Sequence, residues 1–156
     1  MTVAESAPAA GSRQASTVRL LSYGGLIPFV AGAVLAWAAD GDIRAAAVRA
    51  VIVYAVAILS FIGAIHWGRV LSGQEGEGAG PGWLAWGVAP SLLGWFAALL
   101  PPVWTLVVLV LSFALAWAAD RRAVAEGRYP AWFGTMRTVL TAVVCATLAA
   151  LIPLVR

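Results

Sequence analysis

The chain has 156 residues, of which 62% are hydrophobic and only 11% are charged. Soluble domains carry about 25% charged residues, so this composition excludes an ordinary soluble protein and indicates a membrane protein. The ten basic residues are all arginines, and no basic cluster alternates with exposed aromatic residues, which excludes nucleic acid as a partner. The single cysteine, Cys145, excludes an intrachain disulfide and a multi-cysteine zinc site.

Residues 1–17 are rich in Ala, Ser and Pro and show no hydrophobic period, which predicts a disordered N-terminal tail. Residues 18–156 form the predicted transmembrane domain. Its first span, at about residues 20–39, is longer than the apolar region of a cleaved signal peptide. The second, residues 50–68, lies between Arg49 and Arg69 and would measure about 28 Å as a helix, close to the hydrocarbon thickness of a bilayer.

The rest of the chain predicts three further spans. Residues 72–82 are Gly-rich and polar and predict a flexible loop. Spans at about residues 83–100, 103–119 and 138–155 come next, the first with Pro90 at its centre and ended by Pro101 and Pro102. The expected fold is therefore all-α, a compact bundle of five transmembrane helices. In the second span, Ser60, Ala64 and Gly68 lie four residues apart and predict a small-residue face for helix contact.

Residues 120–137 combine four arginines with aromatic residues, which predicts a connection at the level of the lipid headgroups. With five spans, seven arginines lie on the side of the tail and this connection, and three lie on the other side. The positive-inside rule then places the N-terminus in the cytoplasm and the C-terminus in the periplasm.

The sequence Leu-Ala-Trp-Ala-Ala-Asp occurs twice, at residues 35–40 and 115–120. Each copy is predicted to close a helix, and the two helices run in opposite directions. Inverted repeats of this kind occur in transporters. Coincidence is the favoured interpretation, because the flanking residues do not continue the match.

The only histidine, His66, stands near the end of the second span. An ionisable residue inside a membrane is costly and often functional, as a ligand or in proton transfer; the alternative is a structural hydrogen bond near the interface. Arg137 is expected to pair with lipid phosphate or with Asp120, and ordinary positive-inside placement explains it equally well. Trp67 and Trp132 are expected to anchor helices at the interface rather than to form a ligand cage.

Catalysis finds little support in the sequence. All seven acidic residues lie in the predicted tail or connections, and there is no lysine. A hydrolytic or acid–base site needs several titratable groups in one place, and a paired-histidine metal site needs a second histidine. We therefore predict no catalytic and no metal-binding residues. The candidate binding residues are His66, Trp67, Arg69, Trp132 and Arg137, with Trp132 and the His66–Trp67 pair lining a shared cytoplasmic-side cleft.

Three segments together resemble a known family: YAVAILSFIGAIHWG, WGVAPSLLGWFAALLP and YPAWFGTMRTVLT. They are similar to the transmembrane protein 69-like family, domain-of-unknown-function family 3429, from about Leu20 to Leu151. The most specific elements are the triplet at residues 66–68 and the set Pro130, Trp132, Phe133 and Arg137. The resemblance implies a small multi-pass protein of the bacterial inner (cytoplasmic) membrane and carries no activity.

Two functional hypotheses remain. The first is a tryptophan-rich, non-enzymatic membrane protein that associates with, or helps to assemble, a membrane complex, with another membrane protein or a second copy as partner. The alternative is a binder or carrier of a small molecule such as haem, a quinone or a lipid, using His66 and nearby tryptophans. The sequence leaves the cofactor unknown.

Overall fold

The computed structural model describes residues 7–73 and 81–155, with side chains from residue 13 onward. In these ranges the chain forms six α-helices and no strand, which confirms the all-α fold class. The helices are α1 (Ala7–Gly24), α2 (Ile27–Ala38), α3 (Gly41–Leu71), α4 (Pro81–Ala98), α5 (Pro102–Ala125) and α6 (Ala131–Leu151), and a 3₁₀ turn, Ile152–Val155, comes after α6. Most of the predicted loop at residues 72–82 lies outside the described residues.

Within the described ranges, four segments are long and apolar enough to cross a membrane: Arg13–Ala38, Gly41–Leu71, Pro102–Ala125 and Ala131–Val155. The chain is therefore a multi-pass membrane protein. These four correspond to predicted spans one, two, four and five. The third predicted span is α4, which has 18 residues with Pro90 inside the helix.

The first segment consists of α1 and α2, which a break at Gly25 and Leu26 separates. Pro28 lies in the first turn of α2, where its missing N–H costs no helical hydrogen bond. Residues 7–17, predicted to be a disordered tail, instead belong to α1. Alanine is the strongest helix former, and this stretch is rich in it. Residues 1–6 lie outside the described residues.

Helix α3 is the centre of the bundle and packs against α2, α4 and α5. It approaches α4 closely at Gly63, where an added Cβ would lie 2.3 Å from the carbonyl oxygen of Gly87. The prediction that Ser60, Ala64 and Gly68 form the contact face of this helix is therefore wrong: Ala64 and Gly68 are exposed, and the contact is made by Gly63, one residue before Ala64. Small residues do allow the helices to approach, but on the neighbouring face.

The predicted polar connection at residues 120–137 is also wrong in extent. Helix α5 continues to Ala125 and α6 begins at Ala131, so only residues 126–130 connect them. The sequence after Asp120 is compatible with a helix, and α5 ends where Gly127 takes a φ of +75°. Asp120 and Arg137 consequently lie inside helices.

Candidate functional site

Three helices each contribute one ionisable side chain at the same end of the bundle. His66 precedes the end of α3 by five residues, Asp120 precedes the end of α5 by five, and Arg137 comes six residues after the start of α6. At 1.5 Å per residue, all three lie about 7–9 Å inside the helix ends. The exposed fraction is 0% for His66, 2% for Asp120 and 6% for Arg137.

Asp120 joins the other two members of this ionic cluster. Arg137 Nε donates a hydrogen bond of 2.5 Å to Asp120 Oδ2. His66 Nε2 lies 3.4 Å from the other carboxylate oxygen, Oδ1, at ion-pair distance but without hydrogen-bond alignment. A buried carboxylate is tolerated only when it is paired, so Arg137 compensates Asp120 and ties α6 to α5.

Aromatic residues enclose the histidine. The His66 ring stacks on Trp83 of α4, with ring centroids 5.0 Å apart and an interplanar angle of 18°. The Tyr129 hydroxyl lies 3.5 Å from His66 Nδ1. Arg128 in turn lies 4.2 Å above the Trp83 ring. Because these groups cover the imidazole, it has no direct opening for a ligand.

The structure brings some of the predicted binding residues together and separates others. His66 and Arg137 meet through Asp120. Arg69 lies 5.0 Å above the Tyr129 ring, at the margin of the cluster. Trp67 instead donates its indole N–H to the Leu84 carbonyl of α4, and Trp132 contacts Arg19 of α1. Trp67 and Trp132 therefore contact different helices, α4 and α1, and the cleft they were predicted to share stays a prediction.

Sequence reasoning missed Asp120 as a buried residue, although a signal was present. Five of the buried residues of α5 follow one another at helical spacings of three and four: Leu109, Phe113, Ala116, Asp120 and Ala123. Continuing the apolar stripe past residue 119 places the carboxylate on the core face. Trp83 and Tyr129 were missed because their role depends on contacts between distant segments.

A long groove lies between α1, α3 and α6; we call it the α1–α3–α6 groove. Its volume is about 540 Å³. Its lining is apolar apart from Ser22, Tyr54 and Arg137, and the remaining lining residues are Val18, Leu21, Gly25, Ile58, Phe61, Ile62, Ile65, Phe133, Met136 and Leu140. Arg137 thus belongs both to the ionic cluster and to the wall of this groove.

A second, smaller space adjoins the groove. This inner cavity has a volume of about 50 Å³ and shares five residues with the groove wall: Ser22, Gly25, Ile58, Arg137 and Leu140. Thr141, Phe29 and other residues complete its lining. Among the described residues, no three His, Cys, Asp or Glu side chains are arranged to hold a metal ion.

Comparison with known proteins gives a family but no activity. The model of a family described as "Protein of unknown function (DUF3429)" matches residues 14–153. Transmembrane protein 69 of Xenopus tropicalis is 32% identical over 125 residues, which cover 79% of this chain and 48% of that protein. The chain therefore spans about half the length of this curated relative. No solved structure is significantly similar. The chain belongs to the DUF3429 family of membrane proteins of unknown function.

Proposed function

We propose that this chain is a non-enzymatic integral membrane protein that binds a single-chain amphiphile in the α1–α3–α6 groove. The carrying observation is the pairing of a long apolar groove with one buried cation, Arg137, in its wall. Ligand sites of about 300–1,000 Å³ with a few polar groups are typical for small molecules, and the volume of this groove lies in that range.

The ionic cluster supports a binding role rather than catalysis. Asp120 accepts a hydrogen bond from Arg137 and lies 3.4 Å from His66, and at most 6% of any member is exposed. A catalytic acid or base must reach the substrate within hydrogen-bond distance. Trp83 and Tyr129 enclose His66, so we place the small-molecule binding site in the groove and not at His66.

Blocking the groove tests this proposal. The protein is purified in mild detergent and photolabelled with a long-chain alcohol that carries a diazirine on its chain. We expect labelled peptides from α3 and α6, and at least tenfold less labelling in Ile65→Trp, whose side chain fills the groove. Leu111→Trp is the matched control, because Leu111 is 64% exposed and does not line the groove. Equal labelling of both variants would contradict the proposal.

A second candidate is association with, or assembly of, a membrane complex. The supporting observation is an outward-facing surface between α2 and α6 in which four of the eight lining residues are alanines: Ala33, Ala38, Ala146 and Ala150. Small side chains allow a helix of another chain to approach closely within a bilayer. The partner would be another membrane protein or a second copy.

This second candidate predicts a size change on native gels. Ala146→Ile should reduce the mass of the complex extracted from its own membrane. Ala142→Ile, on an exposed position of the same helix outside this surface, should leave the mass unchanged. An unchanged mass in both variants would remove the candidate.

We further propose five crossings, with α4 as the third, and a location in the bacterial inner membrane with the N-terminus cytoplasmic. The arginine count of seven against three supports this orientation. A reporter that is active only in the cytoplasm should be active when inserted within residues 72–82 and inactive at the C-terminus. Activity at both positions would indicate an even number of crossings.

A further inference from the structure

We infer that the amphiphile carries a neutral carbonyl head, of the kind found in a quinone ring, and that Arg137 and Thr141 bind this carbonyl in the inner cavity. The inference rests on the proposed function, because it assigns the head group of a ligand whose chain occupies the α1–α3–α6 groove. The ligand is bound as such, and no chemical step is involved.

Two unsatisfied donors mark the cavity as a polar subsite. Arg137 and Thr141 both line it, and only 6% and 7% of these residues is exposed. Within the described part of the chain, Arg137 Nη2 and Thr141 Oγ1 have no hydrogen-bond partner. Buried polar atoms in folded proteins are nearly always hydrogen-bonded, so two such atoms in one cavity indicate a place for a bound acceptor.

The two donors can serve a single oxygen. Residues 137 and 141 are four apart on α6 and therefore lie on the same face, one turn from each other. A carbonyl oxygen has two lone pairs and accepts two hydrogen bonds, whereas a guanidinium can only donate. One carbonyl oxygen can therefore accept a hydrogen bond from each of the two side chains.

The charge of the site selects a neutral head over an anionic one. The charge of Arg137 is already balanced by Asp120 at 2.5 Å. A carboxylate or phosphate head would add a second anion at a position about 9–15 Å inside the start of α6, with no further cation in the cavity lining. An uncompensated charge at such a depth is strongly disfavoured.

The surroundings favour a ring with a single chain. Phe29 and Phe113 line the inner cavity, and Tyr54, Phe61 and Phe133 line the groove beside it. Aromatic side chains pack against planar rings by offset stacking or edge contacts. The cavity exceeds the roughly 10–15 Å³ that one water molecule requires, so a carbonyl can enter while the ring and chain lie in the groove.

Equilibrium binding measures this preference directly. The probe is tritium-labelled decyl-1,4-benzoquinone, and the protein is the full chain in detergent micelles. We expect saturable binding of the labelled quinone, and unlabelled decyl-benzoquinone should displace it. Decanoate has a chain of the same class but an anionic head, and it should not displace the labelled quinone. Displacement by decanoate at equal or lower concentration would overturn the head-group assignment and leave the groove proposal intact.

Removing one donor tests the site itself. Thr141→Val keeps the shape of the side chain but loses its hydroxyl, and should weaken quinone binding roughly three- to tenfold, the value of one hydrogen bond. Thr147→Val is the matched control on the same helix, because the Thr147 hydroxyl already donates to the Val143 carbonyl. Equal affinities in the two variants would overturn the role of Thr141.

Asp120→Asn tests the charge argument. It leaves Arg137 uncompensated, so decanoate should displace the quinone at least tenfold better than from the unmodified protein. If this variant fails to fold, the decanoate competition and Thr141→Val decide the head group. If neither chain compound binds, or if Ile65→Trp leaves quinone binding unchanged, the proposed function itself fails.

Discussion

The two copies of Leu-Ala-Trp-Ala-Ala-Asp are the same six residues in two different settings. In both, the second residue is buried: Ala36 is 0% and Ala116 is 1% exposed. In both, the tryptophan donates its indole N–H to α6, from Trp37 to the Ala150 carbonyl and from Trp117 to the Thr138 hydroxyl. The local sequence therefore sets similar side-chain contacts in opposite halves of α6.

The aspartates of the two copies differ completely. Asp40 comes after the end of α2, pairs with Arg44 at 2.7 Å and has a side chain 93% exposed. Asp120 continues α5 and is sealed against Arg137 and His66. The backbone already differs at the residue before each aspartate: Ala39 is extended, with a φ of −105° and a ψ of 168°, and ends α2, whereas Ala119 continues α5. Gly41, with a φ of +55°, then begins α3. The same carboxylate thus becomes either a surface group or the centre of a buried cluster.

The largest contrast is expected from removing each carboxylate. Asp120→Ala should lower the free energy of unfolding by about 3–5 kcal/mol, because it leaves Arg137 buried and unpaired. Asp40→Ala should cost less than about 1 kcal/mol, since an exposed ion pair contributes little. Unfolding in mixed detergent micelles, monitored by circular dichroism, measures both. Similar losses of unfolding free energy in the two variants would show that the burial of Asp120 does not make it more important for stability than Asp40.

His66 is the partner that only the second aspartate has. His66→Ala removes the ring that packs between Trp83 and Tyr129 and should cost about 2–3 kcal/mol. His66→Gln keeps a hydrogen-bonding group but cannot be protonated, and should lose about half as much stability if the role is structural. A His66→Gln variant with wild-type stability that has lost ligand binding would instead assign His66 a role in function.

Much of the fold could be predicted from the sequence. Long apolar runs without charged residues define the spans, because the thickness of the bilayer fixes the length of helix needed to cross it. The family resemblance is confirmed over residues 14–153. The extent of α5 was not predicted, because a charged residue such as Asp120 at the end of an apolar run normally indicates the surface.

The candidate site could be predicted only in part. His66 and Arg137 were singled out because ionisable residues near a membrane interior are unusual, and the pairing of Arg137 with Asp120 was one of the expected alternatives. The stacking of Trp83 on His66 and the groove depend on how distant helices pack. Sequence periodicity identifies the buried face of each helix, but it does not say which helices share a cavity.

A third test concerns the backbone conformation of Gly41, the residue that follows the first copy. Gly41→Ala should cost about 1–2 kcal/mol, because an L-residue with a side chain is strained at positive φ. No atom lies within 4 Å of the position of its Cβ, so the cost is conformational. Gly68→Ala is the control: its site is equally open, its φ is not positive, and alanine favours the helix. The same unfolding experiment should separate the two substitutions.

The smallest effects on stability should come from replacing the tryptophans of the two copies, Trp37 and Trp117. The loss should be larger for Trp37, in the first copy. Three residues beyond Ala150 stands Pro153, which has no N–H to donate, so Trp37 supplies a donor to the last turn of α6. Trp37→Phe should therefore cost about 1 kcal/mol. Trp117→Phe should cost about half of that, because the Thr138 hydroxyl still donates to the Gly134 carbonyl. Amide hydrogen exchange in the last turn of α6 should rise only in Trp37→Phe; a rise in both variants would contradict this account.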